Sequence, residues 1–159
     1  MVIETERMVI YPLTWEELDE YVSGRMIMQG EFETEKKVRE YTVEPMRKAE
    51  KKDHLYYTFW IGEYEGEKAV EIGFHRPPNQ EKIIEIWCHV REDLRGKGLG
   101  TEAIIALTRW ANEQSGVDYV AASVEPTNEA SKKMMLKSGY DHYGQMKGME
   151  IYFANLIKE

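Results

Sequence analysis

An apolar strand, a glycine-rich turn and a helix follow one another between residues 83 and 112, and this succession restricts the fold more than any other stretch. The strand is Ile83-Ile84-Glu85-Ile86-Trp87-Cys88-His89-Val90, and the turn is Arg95-Gly96-Lys97-Gly98-Leu99-Gly100-Thr101. A helix-like run follows from Glu102 to Asn112. Glycines permit tight turns and let backbone N–H groups come close to a ligand. The head of a helix adds unpaired donors and the positive end of its dipole. The stretch therefore predicts an anion site suited to a phosphate-bearing ligand. A second strand, at residues 119–124, implies a parallel, right-handed crossover and a mixed sheet with helices on its faces.

Two common nucleotide signatures do not fit. A nucleotide-hydrolase phosphate loop needs Gly-Lys-Ser/Thr after four spacer residues. Here Lys97 precedes Gly98, and no Lys-Ser/Thr pair follows the last glycine. The dinucleotide pattern fails because Thr101 stands where its third glycine belongs.

Residues 1–159 read as one domain, long enough to bury a core without disulfides or metal. Apolar residues make up 42% and charged residues 31%, a globular balance. Lys and Arg total 21 against 29 Asp and Glu, a net charge of −8. Such acidity argues against nucleic acid as a partner and suits a cationic one, such as an amine. Cys88 is the sole cysteine, so no intrachain disulfide forms. No Cys/His cluster has metal-ligand spacing, so no metal is expected. The first residues carry no basic-then-apolar leader, and no apolar run reaches the roughly 18 residues of a membrane span. The expectation is a cytoplasmic protein without a membrane partner.

Along the chain, residues 7–11 read as a strand closed by Pro12. Thr14 and Glu17 form a capping box at the head of a helix. Residues 33–52 are strongly charged, with Val38, Tyr41, Val43, Met46 and Ala49 at helical spacing, and Pro45 marks a break. Strands are expected at 56–61, 69–74 and 82–90, joined by short turns into an antiparallel meander. A helix at 101–114 places Ala103, Ile104, Leu107, Trp110 and Ala111 on one side. A second, at 128–138, is stopped by Gly139. Strands at 140–143 and 149–156 close the chain. The fold class is α/β (α+β), a three-layer domain.

At this point the chain resembles the GNAT N-acetyltransferase superfamily. Arg95, Gly98 and Gly100 stand at the defining positions of its Gln/Arg-x-x-Gly-x-Gly/Ala signature. The opening Thr5-Glu6-Arg7-Met8-Val9-Ile10-Tyr11-Pro12-Leu13-Thr14 is similar to that of the branch resembling ribosomal-protein N-terminal acetyltransferases. Asn128-Glu129-Ala130-Ser131, followed by Lys137-Ser138-Gly139-Tyr140, is similar to that branch's second motif, about 30 residues downstream of the first. Residues 21–54 match least. The resemblance implies a mixed six- to seven-stranded sheet, acetyl-coenzyme A as cosubstrate, and an amine-bearing small molecule or peptide N-terminus as acceptor. Homodimers are common in the family.

By the same resemblance, the backbone of Arg95, Gly96, Lys97, Gly98, Leu99, Gly100 and Thr101 holds the pyrophosphate. Pantetheine runs beside Cys88, His89 and Val90, and Asn128 contacts it. Ser131 sits near the thioester sulfur. Many family members carry a tyrosine acid seven residues after the asparagine; here that position is Met135. Ser131 is therefore the expected partner of the leaving thiolate, and the Val90 N–H that of the carbonyl oxygen. Glu85 is the expected base, directly or through water, because a charge in so apolar a strand needs a reason. An ion pair with a neighbouring Lys or Arg would explain Glu85 equally well. His75 and His89 are further proton carriers. Asn128 also suits a helix cap. Trp15, Tyr21, Met26, Met28 and Phe32 line either an acceptor pocket or a core, and Tyr152 and Phe153 share that ambiguity. A nucleophilic Cys88 would need a thiolate-favouring site, and alternation instead places it opposite His89. A non-catalytic acyl-coenzyme A sensor on the same fold is the alternative function.

Overall fold

A computed structural model describes residues 1–27 and 34–158. Among the described residues there are eight strands: β1 (Ile3–Glu4), β2 (Met8–Pro12), β3 (Phe59–Tyr64), β4 (Glu67–Phe74), β5 (Ile83–Val90), β6 (Tyr119–Val124), β7 (Asp141–Met146) and β8 (Met149–Ala154). They form one sheet in the order β1-β2-β3-β4-β5-β6-β8-β7. Neighbours are antiparallel except β5 and β6, which run parallel. The expected α/β sheet and its central meander are present. The eighth strand is the two-residue β1, too short to show a period in the sequence.

The helices are α1 (Trp15–Tyr21), α2 (Glu35–Val38), α3 (Glu44–Lys48), α4 (His54–Tyr57), α5 (Leu99–Asn112) and α6 (Glu129–Lys137). The Thr14–Glu17 capping box holds the head of α1. A π-helical turn, Arg39–Val43, joins α2 to α3. Pro45 stands in the first turn of α3 and has no N–H to continue the α ladder, so the predicted break appears there as a wider turn.

One expected boundary is wrong. Tyr56, Tyr57 and Thr58 were expected to begin a strand, but β3 starts at Phe59, and Tyr56 and Tyr57 end α4. Tertiary contacts override the aromatic β-propensity there. The Tyr56 ring packs on Trp110 at 5.8 Å between centroids, and the Trp60 indole N–H donates to the Leu55 carbonyl at 3.0 Å.

Alternation along the strands divides the core in two. One cluster joins Ile10, Trp60, Ile72, Ile84 and Ile86 to Leu99, Ile104 and Leu107 of α5 and Met135 of α6. The other joins Phe59 and Ile61 to Leu18 and Tyr21 of α1, Val38 of α2, Val43 and Met46 of α3. The sheet thus has a donor-loop face under α5 and α6 and an opposite face under α1 to α3. Met28 and Phe32 lie outside the described residues.

Candidate active site

The site begins where the sheet opens. β5 and β6 pair only from Ile83↔Tyr119 to Glu85↔Ala121. Beyond Glu85, β5 runs on to Val90 and β6 to Val124 without further pairs between them. The His75 N–H donates to the Glu85 carbonyl, and the Arg91 N–H to the Ala69 carbonyl, so the odd-numbered residues of β5 turn their backbone groups toward β4. By strand geometry those of Ile86, Cys88 and Val90 turn the other way, into the gap. A cleft of about 220 Å³ fills it. Ile104, Met134 and Met135 line it from the helix side, and Trp87 of β5, Ser123 of β6 and His75 just after β4 from the opposite face. The cleft therefore passes through the sheet, and two reactants can meet in it from opposite faces.

The glycine turn lies at the far end of β5. Gly96 and Gly98 both have φ of +81°, the left-handed region that favours glycine. Gly98 is the residue before α5 and has no side-chain cap, so the first N–H groups of a 14-residue helix are left for another acceptor. Gly100 lies where α5 and α6 meet: a Cβ there would be 2.7 Å from the Met134 sulfur and 3.1 Å from Val90 Cγ2. Leu99 is buried in the core, so only its backbone can serve a ligand. Arg95 folds back, its Nε–H donating to the Val90 carbonyl at 3.1 Å.

Cys88, His89, Asn128 and Ser131 all line the cleft. Val90 does not; its side chain packs under Gly100, and its N–H is the atom available to the gap. Asn128 caps α6 through its Oδ1, which accepts from the Ser131 N–H at 3.1 Å. Its amide nitrogen remains directed elsewhere, so capping and ligand contact are compatible. The Cys88 thiol is pushed up to about 12, first by burial and then by the charge of Glu71. Such a thiol is a packing residue, not a nucleophile.

Glu85 sits behind His75. The His75 Nε2 lies 3.0 Å from Glu85 Oε2, and the Ser123 hydroxyl donates to Glu85 Oε1 at 3.2 Å. His75 and Ser123 line the cleft themselves. The bond from His75 is the largest influence on the Glu85 carboxyl and, with the Ser123 bond, outweighs burial and holds it below the ordinary carboxylate range. In place of the expected Lys or Arg, the partner of Glu85 is a histidine, a residue type able to take up a proton.

Under α1 the structure reveals a group that sequence reasoning missed. Glu71 of β4 is fully buried. Its Oε2 accepts from the Tyr21 hydroxyl at 2.5 Å and from the Ile27 N–H. Burial, then the Glu71 charge, drives the Tyr21 phenol far above its usual value. Glu71 pairs with His89 across β4 and β5, so this polar knot adjoins the cleft. Tyr21 is thus a core residue with a polar anchor, and Trp15 and Met26 pack at the margin of the same cluster. Tyr152 belongs to the other core. Phe153 of β8 stacks edge-on with Tyr119 and Tyr143 on the flanking strands β6 and β7. The one signal for Glu71 was a carboxylate flanked by Val70 and Ile72, the pattern already used for Glu85.

Among the described residues, no three His, Cys, Asp or Glu side chains are grouped to hold a metal ion, and no helix is long and apolar enough to cross a membrane.

Residues 7–141 match the protein family described as "Acetyltransferase (GNAT) domain". A 63-residue segment is 38% identical to the L-methionine sulfoximine/L-methionine sulfone acetyltransferase of Pseudomonas aeruginosa. That segment is 40% of this chain and spans 36% of the relative's length. Among solved structures, the chain is similar to a GNAT-family acetyltransferase from Bacillus anthracis, with a TM-score of 0.64, 24% identity and 96% of each chain covered. It is similar to RimJ of Mycobacterium smegmatis, solved with a coenzyme A disulfide, with a TM-score of 0.70, 12% identity, and 97% of this chain and 87% of that one covered. At these identities the structural likeness speaks to the fold.

Proposed function

The chain belongs to the GNAT acetyltransferase family, and we propose that it transfers the acetyl group of acetyl-coenzyme A to a primary amine by direct attack. One observation carries this reading: the cleft where β5 and β6 part is lined from both faces of the sheet. A thioester approaching from the α5–α6 side and an amine from the α1 side would meet there.

The residues divide the work. The N–H groups of the glycine turn and the head of α5 hold the pyrophosphate. The Ile86 and Cys88 backbone groups pair with pantetheine, as β6 does farther back along the strand. As the C–N bond forms, charge gathers on the carbonyl oxygen, and the Val90 N–H donates to it. The amine proton passes, directly or through a water, to His75, whose ring Glu85 orients and whose positive charge Glu85 stabilises. The C–S bond then breaks, and the Ser131 hydroxyl donates to the departing thiolate. Met135 is buried at the cleft wall and has no proton to give.

The acceptor is a small amine or a peptide N-terminus. Purified protein incubated with acetyl-coenzyme A and a panel of amines gives the test, with thiol release as readout. The panel includes L-methionine sulfoximine, because a partial relative is named for it, and peptides with free N-termini, polyamines and aminoglycosides. Thiol release with any amine supports the transferase. Tight coenzyme A binding without turnover across the panel supports instead a sensor, the reading that Met135 favours.

A further inference from the structure

The start of the chain reaches the donor loop. Arg7 lies in the turn between β1 and β2, and its Nε–H donates to Glu102 Oε1 at 2.8 Å. Its backbone N–H donates to Glu102 Oε2 at 2.9 Å, and the Thr5 hydroxyl donates to the same oxygen at 2.5 Å. Arg7 Nη1–H donates to the Lys97 carbonyl at 2.8 Å. Its Nη2 lies 3.3 Å from where a Cβ on Gly98 would stand. One guanidinium thus ties Glu102 in the first turn of α5 to the Lys97 carbonyl just before the helix, and it lies beside Gly98. These bonds span 90 and 95 residues of sequence.

Glu102 makes this contact consequential. It stands in the first turn of α5, where a carboxylate suits the helix dipole. The same place is wrong for an anionic ligand, because a fixed negative charge at the helix head opposes the one to be bound. Glu102 is largely buried as well, with a side chain 16% exposed. Burial alone would raise its carboxyl, but the bonds from Thr5 and Arg7 outweigh it and hold the group below its ordinary value. The carboxylate is therefore ionised at neutral pH and needs a countercharge.

We propose that Arg7 is a positioning residue of the donor site: it cancels the charge of Glu102 and pins the Lys97 carbonyl, so that the glycine turn presents donors to a pyrophosphate without an opposing carboxylate. Thr5 shares the task. This proposal rests on the reading of acetyl-coenzyme A as donor, and it makes the β1–β2 turn part of a donor half-site otherwise assigned to residues 86–131.

Coenzyme A binding is measured by titration calorimetry for the wild type, Arg7→Met, Glu102→Gln and the double variant, with circular dichroism to check the fold. Arg7→Met weakens coenzyme A about tenfold, the upper range for an uncompensated charge in a first helical turn. At saturating acetyl-coenzyme A its kcat stays within about twofold of wild type, so the effect falls on KM. Adding Glu102→Gln restores most of the lost affinity, which a loss of packing alone would not allow. If Arg7→Met does not fold, Arg7→Lys takes its place: the charge remains without the fork, and the affinity falls less and recovers in the same way. Unchanged affinity in the folded arginine variants overturns the proposal. So does a double variant as weak as the single one. A wild type that does not bind coenzyme A overturns the donor reading itself, and the proposal with it.

Discussion

The two faces of this sheet recognise by different means. On the α5–α6 face, binding is assigned to backbone: a left-handed glycine turn, a bare helix head and strand N–H groups turned into a gap. On the α1–α3 face the polar features are side chains, Glu71 with Tyr21 and Glu85 with His75 and Ser123. Backbone recognition needs glycines at fixed spacing, so it leaves a linear trace. Side-chain recognition needs only that distant residues converge, and it leaves almost none.

Three sets of variants would sharpen or break that contrast. The largest effect is expected from Gly98→Glu. Its φ of +81° strains any L residue, and the new Cβ would be 3.3 Å from Arg7 Nη2. The added carboxylate opposes the pyrophosphate, and coenzyme A affinity should fall by a factor on the order of a thousand. Calorimetry on the folded variant measures it, and unchanged affinity would remove the phosphate assignment.

Glu71→Ala should act on stability rather than on the donor site. It leaves a buried phenol and the Ile27 N–H without their acceptor, at a cost of about 3 kcal/mol. Urea unfolding measures the loss. Coenzyme A affinity should hold while amine turnover drops, because the segment after α1 is released. A variant that loses coenzyme A affinity as well would mean that the two faces are not separate.

Glu85→Gln should lower kcat by a factor of about one hundred, and His75→Gln by a similar amount, as expected for removing a proton acceptor. The double variant should be little worse than either, since the pair acts as a unit. The folded Glu85 carboxyl lies below the ordinary value of 4.5, so it is already ionised at pH 6 to 9. Glu85 therefore keeps its charge over that window and acts there as a fixed carboxylate beside His75. The same depressed carboxyl contributes stability above pH 4.5, which is lost as pH falls through its folded value. Thermal denaturation of Glu85→Gln should accordingly depend less on pH below 4.5 than the wild type does. Additive losses in the double variant would separate His75 from Glu85, and an unchanged kcat in either single variant would return that residue to a structural role.

Legibility follows the same divide. The strand, turn and helix from Ile83 onward, the Asn128 cap, and the α/β class could be read from local pattern because the physics that sets them is local. The helix begins at Leu99 rather than Thr101 because Gly98, with its left-handed φ, is the residue that releases the first N–H groups. Tyr56 and Tyr57 misled because their burial against Trp110 and beside Phe59 lies far off in sequence or on another element. His75 stood in the sequence as an ordinary histidine after β4, and nothing local joined it to Glu85. Arg7 was visible only as part of an opening similar to one branch of the family.

By itself, the sequence determined where backbone donors converge, because glycine spacing, helix capping and strand alternation act over a few residues. It also determined the donor class, through two motifs in fixed order. Tertiary structure decided the partners of the charged side chains: His75 for Glu85, Tyr21 for Glu71, and Arg7 for Glu102 across the length of the chain. The physical reason is that a buried or half-buried carboxylate must find a donor or a countercharge, and only the packed sheet brings one within reach.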